Sequence, residues 1–282
     1  MKIVIINDVH VGKPLMHGDK ARSSSEVVMN MFESFLQDLV IRHRPDLVIN
    51  MGDLIRSETG NVDLDRYHKL MSQYSLLQIP VVHLIGNHEI KRLQFEDIEA
   101  AWRSHGFEQD RFGLRSFGDV DVIWLGIDQE EKGSKNFILP PKQLAWLKQT
   151  LNGSTKQTLI FIHCPIDDQD VSGNFFYEFL DGRKKDGLFL KNQNAVRELI
   201  QARQNVIAVF QAHLHYFHAR ILDGISYITC PAMNDNICGP HVVNNNPEVY
   251  TVVTIEEDFL VAKAYSGEHC FAGFERSLSK QL

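Results

Sequence analysis

Four cysteines in 282 residues, with no C-x-x-C pair among Cys164, Cys230, Cys238 and Cys270, exclude a thiolate-rich metal centre and a disulfide framework. They read as free thiols in a reducing cytoplasm, with Cys164 as a small buried hydrophobe. No long apolar run opens the chain. The stretch Ile3 to Ile6 is far too short to cross a bilayer, and no small-residue cleavage site follows it. Basic residues are in deficit, 29 Lys+Arg against 36 Asp+Glu for a formal charge of −7, which argues against generic attraction to nucleic-acid phosphates. No internal repeat, low-complexity tract or Gly/Ser linker divides the sequence. With 44% hydrophobic and 23% charged residues, disorder and fibrous structure are excluded as well. What is left is a soluble globular protein, expected to form a single unit over 1–282.

What is present is an alternation of short β-branched runs with longer amphipathic stretches, the pattern of an α/β protein. Strands are expected over Lys2–Asn7, Asp46–Met51, Val81–Ile85, Val120–Ile127, Thr158–Ile162 and Val206–Gln211, then Ile225–Cys230, Val249–Ile255 and Phe259–Tyr265. Helical spacing fits Ser24–Arg42, Asp63–Leu77, Phe95–His105, Pro141–Leu151 and Asn194–Arg203. The last 60 or so residues carry strand signals without a strong helix, which suggests a second sheet completing a layered sandwich. Two long loops interrupt the pattern, at 165–192 and 234–247, and loops of that length inside a compact unit are usually functional.

Five apolar runs end in residues able to bind a metal. KIVIIN leads to Asp8-Val9-His10, DLVINM to Gly52-Asp53, and VVHLI to Gly86-Asn87-His88-Glu89. TLIFI leads to His163, and VIAVFQ to Ala212-His213-Leu214-His215. Ligands of open α/β sheets gather at the carboxyl ends of strands, so these five ends can meet in one cleft. Carboxylate, imidazole and amide oxygen together suit Mn, Fe or Zn. Asp8, His10, Asp53, Asn87, His163, His213 and His215 are too many ligands for one ion, and two ions bridged by Asp53 fit the set. A paired centre can clamp the attacking and leaving oxygens of a phosphoryl displacement, so phosphoester hydrolysis is the expected reaction.

These five blocks, in order from Asp8 to His215, resemble the calcineurin-like metallophosphoesterase superfamily. The resemblance implies an α/β fold, a four-layer αββα sandwich of two mixed sheets flanked by helices, with a binuclear centre at the strand ends. It places Asp8, His10, Asp53 and His215 on one ion, and Asp53, Asn87, His163 and His213 on the other. His88 becomes the unliganded histidine that meets phosphate and the leaving group. Leu139 to Leu147 is similar to a helix start found in phosphodiesterase-like branches. Two departures stand out: Ala212 where glycine is usual, and Glu89 where many phosphodiesterases carry Asp. Protein Ser/Thr phosphatases carry Glu there, but Gly52-Asp53-Leu54-Ile55-Arg56-Ser57 does not continue as theirs does. A small-molecule phosphodiesterase acting through a metal-bridging hydroxide is the first reading. A phosphomonoesterase comes next, then a DNA nuclease suggested by Asp8-Val9-His10-Val11-Gly12, and last a non-catalytic scaffold.

The remaining candidates concern substrate. Arg56 and Arg92 follow metal motifs directly, and a planar guanidinium suits phosphate oxygens. His241 lies in a Gly-Pro-His loop that can line the cleft, and Phe175 and Tyr177 belong to an aromatic cluster that can stack a base or anchor its own loop. Arg183-Lys184-Lys185 reads as a solvated face. His83, inside an apolar run, reads as a packed strand residue, and His17, His43, His68, His105 and His269 as surface or loop residues. The partner is a small phosphoester, with no membrane.

Overall fold

Period-2 alternation within the apolar runs sets the layers. The structure, a computed structural model, describes residues 1–14, 16, 17, 20, 21, 23, 25–171, 187–234 and 248–278. The order begins β1 (Lys2–Ile6), β2 (Met16–His17), β3 (Lys20–Ala21), α1 (Ser25–His43), β4 (Leu47–Asn50), α2 (Gly60–Tyr74), β5 (Val81–His83), α3 (Asn87–Ile90) and α4 (Phe95–Ser104). It continues β6 (Gly113–Phe117), β7 (Val120–Leu125), β8 (Asp128–Gln129), β9 (Phe137–Ile138), α5 (Pro141–Gly153), β10 (Gln157–Ile162), α6 (Gln193–Gln201) and β11 (Val206–Gln211). The chain then runs through β12 (His218–Leu222), β13 (Ile225–Thr229), β14 (Val249–Ile255), β15 (Phe259–Ser266) and β16 (His269–Ser277).

Two six-stranded mixed sheets form, ordered β16-β15-β14-β1-β4-β5 and β12-β13-β11-β10-β7-β6. In β1, Val4 and Ile6 pack outward against Phe32 and Leu36 of α1, Tyr67 and Leu70 of α2, and Trp102 of α4. Ile3 and Ile5 face inward, in one cluster with Leu159 and Phe161 of β10 and Phe210 of β11. Ile160 and Ile162 face the far side, against Leu147 and Leu151 of α5 and Val196 and Ile200 of α6. Each such side chain removed from water contributes about 1.5–3 kcal/mol, which holds the register, because a one-residue slip would expose a whole face. The result is the expected αββα sandwich.

The expected elements appear with ends shifted by a few residues, and beyond the short pairs β2–β3 and β8–β9, three strands of the main sheets emerge that the periodicity did not mark: β6, β12 and β16. All three are sheet edges. Their alternation is diluted because one side faces solvent, as in the intermediate and exposed positions of β6 and β16. The C-terminal strands also correct the expected arrangement. Instead of building a second sheet, β14 pairs antiparallel with β1, from Lys2 opposite Thr254 to Ile5 opposite Thr251, and extends the first sheet through β15 and β16. The second sheet is made by β7, β10, β11 and β13 in parallel, closed by antiparallel β6 and β12. Of the two long loops, residues 172–186 and 235–247 lie outside the described residues. The stem of the first is tied where the Leu190 N–H donates to the Pro165 carbonyl at 2.9 Å. No disulfide links the described Cys164, Cys230 and Cys270, and among the described residues no helix is long and apolar enough to cross a membrane.

Candidate metal centre

The strand ends do not simply stop; they turn through a backbone region that side chains rarely enter. Asp8, His10, Asp53, His213 and His215 have φ between 49° and 69°. Left-handed backbone costs a non-glycine residue of order 1–3 kcal/mol and collects at functional sites, with Asp, Asn and His the commonest occupants. The turns are held by ladder bonds that outlast the strands: Asp8 N–H to the Gly52 carbonyl (3.0 Å), His10 N–H to Asp53 (3.0 Å) and Val11 N–H to Leu54 (2.8 Å). Glycine is required at two points of close approach. A Cβ on Gly52 would collide with the Gly86 backbone, and one on Gly86 with the Asp53 carboxylate.

Hydrogen bonds then aim each donor set. The Asp8 Oδ2 accepts from Asn7 Nδ2 (2.6 Å) and the His213 N–H (3.2 Å), leaving Oδ1 toward His215 Nε2 at 3.1 Å and His10 Nε2 at 3.6 Å. The Asp53 Oδ1 accepts the His88 N–H at 2.7 Å, leaving Oδ2 between His10 Nε2 (3.8 Å) and His163 Nε2 (3.5 Å). One carboxylate oxygen therefore stands between two clusters. His163 donates Nδ1–H to the Met51 carbonyl (2.8 Å), and His213 donates Nε2–H to the Gly187 carbonyl (2.8 Å). Those bonds fix both tautomers and turn the opposite ring nitrogens, His163 Nε2 and His213 Nδ1, inward. The Asn87 amide head lies 2.7 Å from His213 Nδ1 and 3.1 Å from both Asp53 Oδ2 and His163 Nε2.

This donor set fits metal ions. Ligand atoms about 2.0–2.2 Å from one ion stand roughly 3–3.6 Å apart, close to these separations. Asp8, His10 and His215 form one group within reach of a common ion, and Asp8, Asp53 and His163 another. Oxygen and imidazole donors suit a first-row ion. His10, Asp8, Asp53 and His163 are buried, so the charges compensate one another in a poorly solvated space. Burial alone would raise both carboxyls, yet His215 holds Asp8, and His163 with His88 holds Asp53, well below the usual carboxylate range. Burial would lower His163 too, but Asp53 pushes it up to about 9. Burial keeps His10 and His213 neutral, at about 3. Two anions among neutral and cationic imidazoles await positive charge.

His88 lies at the edge of these donors, forming with His10 and Asp53 a further group within reach of a common ion. Its Nδ1 is held by the Arg56 carbonyl (3.1 Å) and Ser57 Oγ (2.9 Å), while its Nε2 lies 4.0 Å from Asp53 Oδ2. Its ring meets that of His10 edge-on, with centroids 4.6 Å apart. Of the two arginines, Arg56 is bound to Ser23 and Arg92 Nε donates to the Ser57 carbonyl at 3.2 Å. Lys91, not singled out by sequence, reaches the Asn87 amide instead, at 2.8 Å. Also missed was the anchoring role of Glu89, whose buried carboxylate accepts the N–H groups of Asp53, Leu54 and Gly86; its place in the third motif was the available signal. Burial, then Asp53, raises Glu89 to about 7. His241, Phe175, Tyr177 and Arg183 to Lys185 lie outside the described residues. His83 packs among Tyr74, Trp102 and Phe107 as a strand residue.

A sandwich of two mixed sheets with a twofold cluster of oxygen and imidazole donors at its strand ends defines the metallohydrolase class. The calcineurin-like phosphoesterase family model matches residues 1–217, and the chain belongs to that family. It is a metal-dependent phosphoester hydrolase. No curated protein matches the chain. Among solved structures, a dimetal phosphatase from Danio rerio superposes with a TM-score of 0.73 at 16% identity, covering 99% of each chain. GAP50, the anchor in the inner membrane complex of Plasmodium, gives 0.59 at 10% identity over 99% of this chain and 89% of its own. TT1561 of Thermus thermophilus gives 0.52 at 11% identity over 89% and 93%. At these identities the likeness is one of fold.

Proposed function

We propose that the chain hydrolyses phosphodiesters of small, nucleotide-like molecules with two ions drawn from Mn, Fe or Zn. The observation that carries this reading is Asp53 Oδ2, which stands between His10 and His163, with His88 Nε2 farther off at 4.0 Å. Asp8, His10 and His215 would hold one ion, Asn87, His163 and His213 the other, and Asp53 both. When bound, the pair would supply Lewis acidity toward the phosphoryl oxygens and an acidified water as nucleophile. The remaining steps fall to the chain. The Arg56 carbonyl can only accept, so His88 keeps its proton on Nδ1. Nε2 takes up the ring's second proton, from solvent, as an anionic phosphoryl group arrives beside it, and that proton passes to the departing alkoxide. His88 is 24% exposed, open enough for substrate to reach it.

The deficit of basic residues favours a small substrate over a polyanion, and we read the whole of 1–282 as one catalytic unit working in the cytoplasm. Phosphomonoester hydrolysis is the second reading, favoured by the Lys91 ammonium just past the end of α3, three residues beyond His88, a charge suited to a dianion. The test is turnover by metal-reconstituted protein on an aryl phosphodiester, an aryl phosphomonoester, cyclic nucleotides and single-stranded DNA. Preference for the aryl diester or cyclic nucleotides supports the proposal. Preference for the monoester establishes the second reading, and selectivity for DNA overturns both.

A further inference from the structure

The Asn87 amide is caught between groups of opposite demand. On one side lie two obligate acceptors, His213 Nδ1 at 2.7 Å, whose ring donates its other nitrogen to Gly187, and Asp53 Oδ2 at 3.1 Å, with His163 Nε2 beside them at 3.1 Å. On the other side lies an obligate donor, Lys91 Nζ, at 2.8 Å. Without an ion, the amide satisfies both by turning its N–H2 to the acceptors and its oxygen to Lys91. An ion held by Asp53, His163 and His213 takes those lone pairs and calls for the amide oxygen instead. The head must then reverse, which brings its N–H2 against the ammonium of Lys91, two donors within hydrogen-bond distance. The pair cannot persist. Asn87 is buried and fixed at the start of α3, whereas Lys91 is exposed and flexible, so Lys91 is the group that leaves. It follows α3 three residues after His88, close enough for its charge to act on that ring.

We propose that Lys91 is a positioning residue that competes with an ion for the Asn87 amide and, once displaced by it, meets an outer oxygen of the substrate phosphoryl group. Substrate would then encounter this ammonium only when the Asn87 position is filled. The second half rests on phosphoester hydrolysis at this centre; the first half does not.

The test is Mn²⁺ titration calorimetry on the metal-depleted full chain, comparing wild type with Lys91→Met, Asn87→Asp and the double variant. The binding step weakened in Asn87→Asp identifies the Asn87 position. Lys91→Met should tighten that step about three- to tenfold, because no hydrogen bond to the amide need be broken. A carboxylate serves ion and ammonium with separate oxygens, so in the Asn87→Asp background the same change should give no tightening. Equal tightening in both backgrounds would mean plain charge repulsion and would overturn the competition, as would no tightening in either. In turnover, Lys91→Met should raise KM about tenfold, with recovery in Lys91→Arg. An unchanged KM removes the substrate contact. Absence of any phosphoester turnover by wild type would sink the hydrolytic reading and the substrate contact with it, while calorimetry still decides the competition.

Discussion

The Glu89 carboxylate lies against the backbone of Asp53 and accepts its N–H at 2.9 Å, and the same side chain accepts from Leu54 at 2.6 Å and Gly86 at 2.9 Å. An acid of the third motif thus holds the turn of the second, including the left-handed Asp53.

Glu89→Gln should loosen that turn. A carboxamide offers one acceptor oxygen where the four N–H groups of Asp53, Leu54, Ile55 and Gly86 need two, and it points a donor at the rest. Leaving a buried N–H unpaired costs about 1–3 kcal/mol, so the variant should melt several degrees lower. Metal affinity should fall about 10- to 100-fold, the range for groups that orient ligands. Calorimetric melting and metal titration check both. Wild-type affinity would show that Asp53 keeps its place unaided.

Asp53→Ala removes the carboxylate oxygen that stands between His10 and His163. The expected protein retains less than two ions per chain and loses about 10³-fold or more in turnover. Elemental analysis beside kinetics separates the effects, and two full equivalents of metal would contradict a bridging role.

Much of this centre was legible because its chemistry sits at fixed points of the fold. A parallel strand delivers its next residues to one edge of the sheet, so Asp8, Asp53, Asn87, His163 and His213 could be read off the ends of apolar runs. Outer β6, β12 and β16 could not, since solvent on one face erases the contrast that marks β1 or β10. Arg56 and Lys91 show the other limit. Both stand near a motif in sequence, but the direction of a long side chain depends on partners distant in the chain, here Ser23 for Arg56. Nothing in the spacing distinguished Lys91 from Arg92. Their separation comes from the chain leaving α3, which points one toward Asn87 and the other toward Ser57.

His88→Ala should keep the metals and lose rate. Its Nε2 is farther from Asp53 Oδ2 than that of His10 or His163, and its Nδ1 is spent on Arg56 and Ser57. Loss of a general acid typically costs about 10²–10⁴-fold, most with a basic leaving group and least with a nitrophenolate. A steeper dependence of rate on leaving-group pKa is the diagnostic. Loss of metal instead would make His88 a ligand.

His83 gives a pH dependence that owes nothing to the metals. It is buried among Tyr74, Trp102 and Phe107, and burial lowers its pKa from 6.5 to about 3. Between those values the unfolded chain binds a proton that the folded protein refuses. Stability is therefore complete above pH 6.5 and is lost as pH falls toward 3, at about 1.4 kcal/mol per pH unit and roughly 2 kcal/mol by pH 5. His83→Phe keeps the aromatic packing and abolishes the titration, though Asn50 loses its partner at 3.2 Å and overall stability drops. Urea unfolding of wild type and variant from pH 7.5 to 4.5 reads the difference. The variant should start less stable and fall more slowly, so the two curves converge with acid. Parallel curves would mean that His83 takes up its proton without unfolding, and that the cavity around it admits a charge.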